Sequence, residues 1–118
     1  MSNQLLGILV QTQVEQTQTM QRGVKFDSGK AKLSLVNRET LVGIAKAMEY
    51  GMVKYGKNNY KLGMDWSRTV DALLRHATAW AAKEDNDSES GLNHLYHVGA
   101  CVNMLLYYVE NNVGTDDR

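Results

Sequence analysis

Between Ala82 and Cys101 the chain reads AKEDNDSESGLNHLYHVGAC, which sets four acids, Glu84, Asp85, Asp87 and Glu89, ahead of two histidines, His94 and His97. Two carboxylates three residues apart, as in Glu84 and Asp87, can converge on a hard divalent cation. Two histidines at i and i+3 share one side of a helix and can face one metal or one phosphate. Glu84, Asp87, His94 and His97 are therefore the expected metal ligands, and Asp85, with nothing to turn it inward, is assigned to solvent. The same residues admit a structural account. Asp87 can cap a helix, Glu89 in a first turn favours the helix dipole, and inward histidines can be hydrogen-bonded core residues. Spacing leaves both accounts open.

The positive counterpart would come from two lysine-bearing segments. KFDSGKAK places Lys25, Lys30 and Lys32 around a glycine turn whose backbone N–H groups can also meet an anion. VKYGKNNY offers Lys54 and Lys57 beside Tyr55, Asn58 and Asn59, a mixture suited to phosphates plus a base or sugar. Neither is a Walker-type loop, and a solvated loop is the competing reading of each. Thirteen basic and thirteen acidic side chains cancel, so no global field draws in a nucleic-acid polymer or an anionic membrane. An anionic ligand has to be held locally.

The elements that must position these groups are helices. At 118 residues, 43% apolar and 22% charged, the chain has an ordinary globular composition. Apolar periodicity predicts a first helix over about 38–56 with Asn37 as cap, a second over about 67–84 and a third over about 88–111 with Asp87 as cap. The first carries a stripe of Leu41, Ile44, Ala45, Met48, Met52 and Tyr55, with Glu49 between that stripe and a second apolar column, where it needs a cation, a metal or a donor. The second buries Val70, Leu73, Leu74, Ala77, Trp80 and Ala81, with His76 at the edge; the third has an arc of Leu92, Leu95, Val98, Val102, Leu105, Leu106 and Val109. The expectation is an all-α protein, a small bundle of three to four helices with an ordered N-terminal loop or short strand. Residues 3–21 fit a helix or a strand equally. The single cysteine excludes an internal disulfide, and no apolar stretch reaches the roughly 18 residues that span a bilayer, so the chain is expected in a cytoplasm. The long apolar arc also predicts a homo-oligomer.

Five ordered motifs add a family resemblance: K-F-D-x-G-K-x-x-L-S-L-V from Lys25, K-Y-G-x-x-N-aromatic from Lys54, D-A-L-L-R-H from Asp71, E-D-x-D-x-E-S-G-L-x-H-L-x-H from Glu84, and Asn103 followed by Leu106. Together they resemble the phage and prophage family of dATP/dGTP diphosphohydrolase N-terminal domains, itself regarded as similar to the all-α (MazG-like) nucleoside triphosphate pyrophosphohydrolases. That resemblance implies an oligomeric helical bundle in the cytoplasm of an infected host, cleaving a purine dNTP to dNMP and pyrophosphate with a divalent metal. It implies catalytic roles for Glu49, His76 and His94, and nucleotide contacts from Lys25, Asp27, Lys30, Lys54, Tyr55, Asn59 and Arg75. Where the superfamily places a second carboxylate motif this chain has His94 and His97, so the metal is open between Mg²⁺ and Mn²⁺, with another transition metal or no metal also admitted. The alternative is a nucleotide-binding protein that sequesters a signalling nucleotide without cleaving it. The expected division is a variable or oligomerising segment over 1–24, the helical domain over 25–112, and a disordered tail over 113–118.

Overall fold

The computed structural model describes residues 21–118, and the helix-or-strand segment at the N-terminus, up to residue 20, lies outside the described residues. The chain divides into two units, one ending at Leu35 and one running from Val36 to Arg118. The helical unit thus begins later than Lys25. In the first unit the Asp-Ser-Gly signal is a turn: the Lys30 N–H donates to the Asp27 carbonyl at 3.1 Å, Gly29 sits at φ 83°, and a 3-10 turn follows at Leu33–Leu35.

The second unit holds three helices, α1 (Arg38–Tyr55), α2 (Trp66–Ala81) and α3 (His94–Asn111), with a 3-10 turn at Asn59–Leu62 between the first two. No extended strand occurs among the described residues; there are only the isolated bridges Asp65–Thr115 and Asn86–Asn93. The protein is an all-α bundle in which α3 packs against both other helices. Glu39 in the first turn and Lys54 in the last complement the α1 dipole, and Gly56 ends the helix by donating to the Met52 carbonyl at 2.8 Å.

The packing faces differ from the apolar stripes read in the sequence. In α1 the buried residues are Gly43 and Ala47, while Leu41, Ala45, Met52 and Tyr55 are exposed. The cause is close approach. A Cβ at Gly43 would run into the Tyr96 ring of α3, and one at Gly99 of α3 would collide with Ile44 of α1, so each glycine receives a large side chain from the facing helix. In α3 the buried line is His94, Cys101 and Tyr108, seven residues apart, with Tyr108 wholly buried. A buried aromatic of this kind contributes about 1.5–3 kcal/mol over its exposed state. Leu95, Val102, Leu106 and Val109 of the expected arc instead face outward.

Residues 113–118 are ordered rather than a disordered tail. The buried Trp66 donates its backbone N–H to the Thr115 carbonyl at 2.9 Å and its indole N–H to the Val113 carbonyl at 2.8 Å. The Asp117 carboxylate accepts the Ser67 backbone N–H at 2.9 Å, placing an acid at the N-terminus of α2 where the helix dipole favours one.

Candidate functional site

The acidic corner is longer than helix periodicity predicts. Helix α2 stops at Ala81, and Lys83 at φ 69° turns the chain back. Asp87 does accept the Ser90 N–H at 2.8 Å, the i to i+3 bond a helix cap would make. Gly91 at φ 75° then breaks that turn, and α3 starts only at His94, capped by Asn93, whose side-chain oxygen accepts the Leu95 N–H at 2.8 Å. In between, the corner closes on itself: the Asp87 N–H donates to the Leu92 carbonyl at 2.8 Å and the His94 N–H to the Asp85 carbonyl at 2.9 Å. Glu84 therefore projects from this loop and not from the face of a helix.

All three histidines of the chain meet here. His94 is 4% exposed; its Nε2 lies 2.9 Å from Glu84 Oε2 and its Nδ1 lies 2.8 Å from His76 Nδ1. His97 stacks on His76 with ring centroids 4.5 Å apart, and its Nε2 is 2.6 Å from Ser90 Oγ and 3.9 Å from Asp87 Oδ2. A carboxylate only accepts, so Glu84 holds the hydrogen of a neutral His94 on Nε2 and leaves Nδ1 as a bare acceptor aimed at His76. Ser90 Oγ accepts the Leu92 N–H at 3.2 Å and is also hydrogen-bonded to His97 Nε2.

Electrostatics separate acid from bases. Burial pushes the Asp87 carboxyl up, but the Ser90 backbone N–H and hydroxyl, then His97 and His76, outweigh it and hold Asp87 below its ordinary value. Burial lowers both His76 and His97, and at His76 the neighbouring His97 adds to the effect. These two rings should titrate below the ordinary imidazole range when followed by NMR. Their folded values lie below the unfolded ones, so the unfolded chain takes up protons first and stability declines as pH falls through about 6.5. A melting temperature at pH 5.5 equal to or above that at pH 7.5 would contradict this.

Ligand-type atoms of His76, Asp87 and His94 all lie within 4.8 Å of one another. Of the ligands expected from spacing, Asp87 and His94 are in this group, Glu84 sits on the opposite nitrogen of His94, and His97 stacks against His76. Lys54 pairs with Glu89 of the corner at 2.8 Å, and Tyr50, also bonded to Glu89, presents its edge to His97 at 6.0 Å. Tyr55, Asn59 and Arg75 are exposed, as is Glu49, which lies outside the buried side of α1. Lys25, Asp27 and Lys30 belong to the first unit. Sequence reasoning singled out neither Ser90 nor Tyr50 as a site residue. The position of Ser90 three residues after Asp87 was the available signal.

The fold and the cluster define a small helical domain with a preassembled histidine–carboxylate centre at the corner between two helices. The chain belongs to the family described as dATP/dGTP diphosphohydrolase, N-terminal, which matches residues 20–118. It is similar to a dATP/dGTP diphosphohydrolase of Salmonella phage PMBT28, 34% identical over 96 residues that make up 81% of this chain. The chain spans 33% of the length of that relative. No solved structure matches it. No helix among the described residues is long and apolar enough to cross a membrane.

Proposed function

We propose that the protein is a nucleotide diphosphohydrolase that cleaves a purine dNTP to dNMP and pyrophosphate at the histidine cluster. The convergence of His76, His94 and His97 with Asp87 and Glu84, in a chain of this family, is the observation that carries the reading. A water oxygen attacks the α-phosphorus, the bond from that phosphorus to the α–β bridging oxygen breaks, and pyrophosphate leaves. The water proton passes to an imidazole nitrogen of His94 or His76; with Glu49 exposed, the histidines and not that carboxylate serve as base. Glu84 fixes the His94 tautomer and stabilises the ring once charged. A divalent ion, Mg²⁺ or Mn²⁺ in the family resemblance, would polarise the phosphates when bound. Asp87, His94 and His76 are the residues whose donor atoms fit one, and an ion on those nitrogens would itself supply the activation of water that the free imidazoles otherwise give. Lys54 at the rim exchanges Glu89 for phosphate oxygen, joined by Arg75, while Tyr55 and Asn59 contact base and sugar.

The test is incubation with a panel of nucleotides, with and without Mg²⁺ or Mn²⁺, and chromatographic resolution of the products. Pyrophosphate release from a purine dNTP is expected. A nucleotide retained intact by the protein would replace hydrolysis with sequestration.

The chain is also proposed to self-associate through α3. Leu95, Val102, Leu106 and Val109, 43%, 42%, 51% and 58% exposed, form one outward stripe whose coverage a second copy would provide. Sedimentation at micromolar concentration should give a species larger than the 13.2 kDa monomer; the monomer mass alone would sink the proposal.

A further inference from the structure

We infer that His76, Asp87 and His94 form a site for one transition ion of the Zn²⁺ class in preference to Mg²⁺, with Glu84 as the residue that positions His94. The inference shares its location with the proposed hydrolase site, but it concerns binding of the ion alone.

Three observations carry it. The first is convergence from independent elements: His76 comes from α2, Asp87 from the corner and His94 from the start of α3, and their donor atoms lie within 4.8 Å of one another. The second is fit. Two imidazole nitrogens bound at about 2.0–2.1 Å in tetrahedral geometry stand about 3.3 Å apart. His76 Nδ1 and His94 Nδ1 are 2.8 Å apart, so the rings need to part by only about half an ångström. The third is the outer layer. Glu84 occupies the other nitrogen of His94 at 2.9 Å, and the Ser90 N–H holds Asp87 Oδ2 at 2.8 Å. A carboxylate behind a ligating histidine fixes its tautomer and raises its basicity.

Donor type selects the ion. Mg²⁺ prefers oxygen ligands and retains its waters, whereas two neutral imidazoles and one carboxylate suit Zn²⁺ and, more weakly, Mn²⁺. Three protein ligands also leave a fourth position open, as in sites that act on a substrate. His97 is excluded from the ligand set because its ring lies flat on His76, 11° from parallel, with Nε2 engaged by Ser90. Its role is to hold the plane of the His76 ring.

The test uses the full chain, stripped of metal, in calorimetric titration with Zn²⁺, Mn²⁺ and Mg²⁺ individually and without nucleotide. One Zn²⁺ per chain is expected, bound more tightly than Mn²⁺ and at least about 100-fold more tightly than Mg²⁺. His76→Ala and Asp87→Asn should each weaken Zn²⁺ by about 100-fold or more, with circular dichroism confirming retained helices. Glu84→Gln should keep the stoichiometry and weaken affinity about 10- to 100-fold. Visible absorption of the Co²⁺-loaded chain, sensitive to ligand type, should survive Glu84→Gln and disappear in His76→Ala. Absence of saturable Zn²⁺ binding, or binding indifferent to His76→Ala, overturns the inference. The two readings fail separately. A saturable Zn²⁺ site without nucleotide turnover keeps the metal site and removes the hydrolase. Nucleotide turnover by a chain that shows no saturable Zn²⁺ binding keeps the hydrolase and removes the metal site.

Discussion

Replacing His94 with alanine should lower the proposed purine dNTP turnover by about 10²- to 10⁴-fold, the range a positioned acid–base group contributes. The change removes the ring that joins Glu84 to His76, at 2.9 and 2.8 Å, and strips the hydrogen-bond partner from both. Glu84→Gln is the informative companion. It keeps the shape but replaces an acceptor-only carboxylate with an amide that can donate, so His94 loses its fixed tautomer and turnover should fall about 10- to 100-fold. Asp85→Asn is the control. The Asp85 side chain is exposed and only its backbone carbonyl holds His94 in place, so steady-state rates should stay within about twofold, as surface substitutions away from special contacts usually do in stability. Equal losses for Glu84→Gln and Asp85→Asn would mean that charge in the corner, and not the Glu84–His94 contact, is what matters.

Gly43→Ala and Gly51→Ala should move stability in opposite directions, although both add one methyl to the same helix. Alanine exceeds glycine in helix propensity by about 1 kcal/mol, and at Gly51, where a Cβ meets nothing within 4 Å, that gain should appear almost undiminished. At Gly43 the added Cβ coincides with the Tyr96 ring. Forcing the ring aside costs about 1–3 kcal/mol by overpacking, which outweighs the propensity gain at all but its lower end. Chemical denaturation midpoints of the two variants decide the matter. A stabilised Gly43→Ala would show that α1 and α3 are not in close contact there.

The positions of the helices were legible in sequence, and their contact faces much less so. Period-3.6 apolar spacing marked α1 to within a residue of its end at Tyr55. It misjudged the face because hydrophobicity counts Leu41 and Met52 and ignores Gly43, the residue whose lack of a side chain permits contact. The start of α3 was placed too early for a chemical reason: Asp87 makes a bond like that of a helix cap to Ser90, and only the left-handed Gly91 shows that no helix follows. At the site, pairing the corner acids with His94 was readable from their proximity in sequence. The place of His76 was not, since its contact with His94 depends on how far α2 runs before Lys83 reverses the chain.

The whole cluster is drawn from residues 76–97, two helix ends and the corner between them. Bringing such segments together closes a short loop, whose entropic cost is small, and contacts this local in sequence form early. The centre can therefore assemble as a helical hairpin before α1 docks through Gly43 and Tyr96. In native-state hydrogen exchange, α2 and α3 should open together as one cooperative unit and α1 should open at lower free energy. A lesion at the Gly43–Tyr96 contact, away from Tyr50, Lys54 and Tyr55, would then reduce the lifetime of the folded protein while leaving intact the chemistry of the molecules that remain folded.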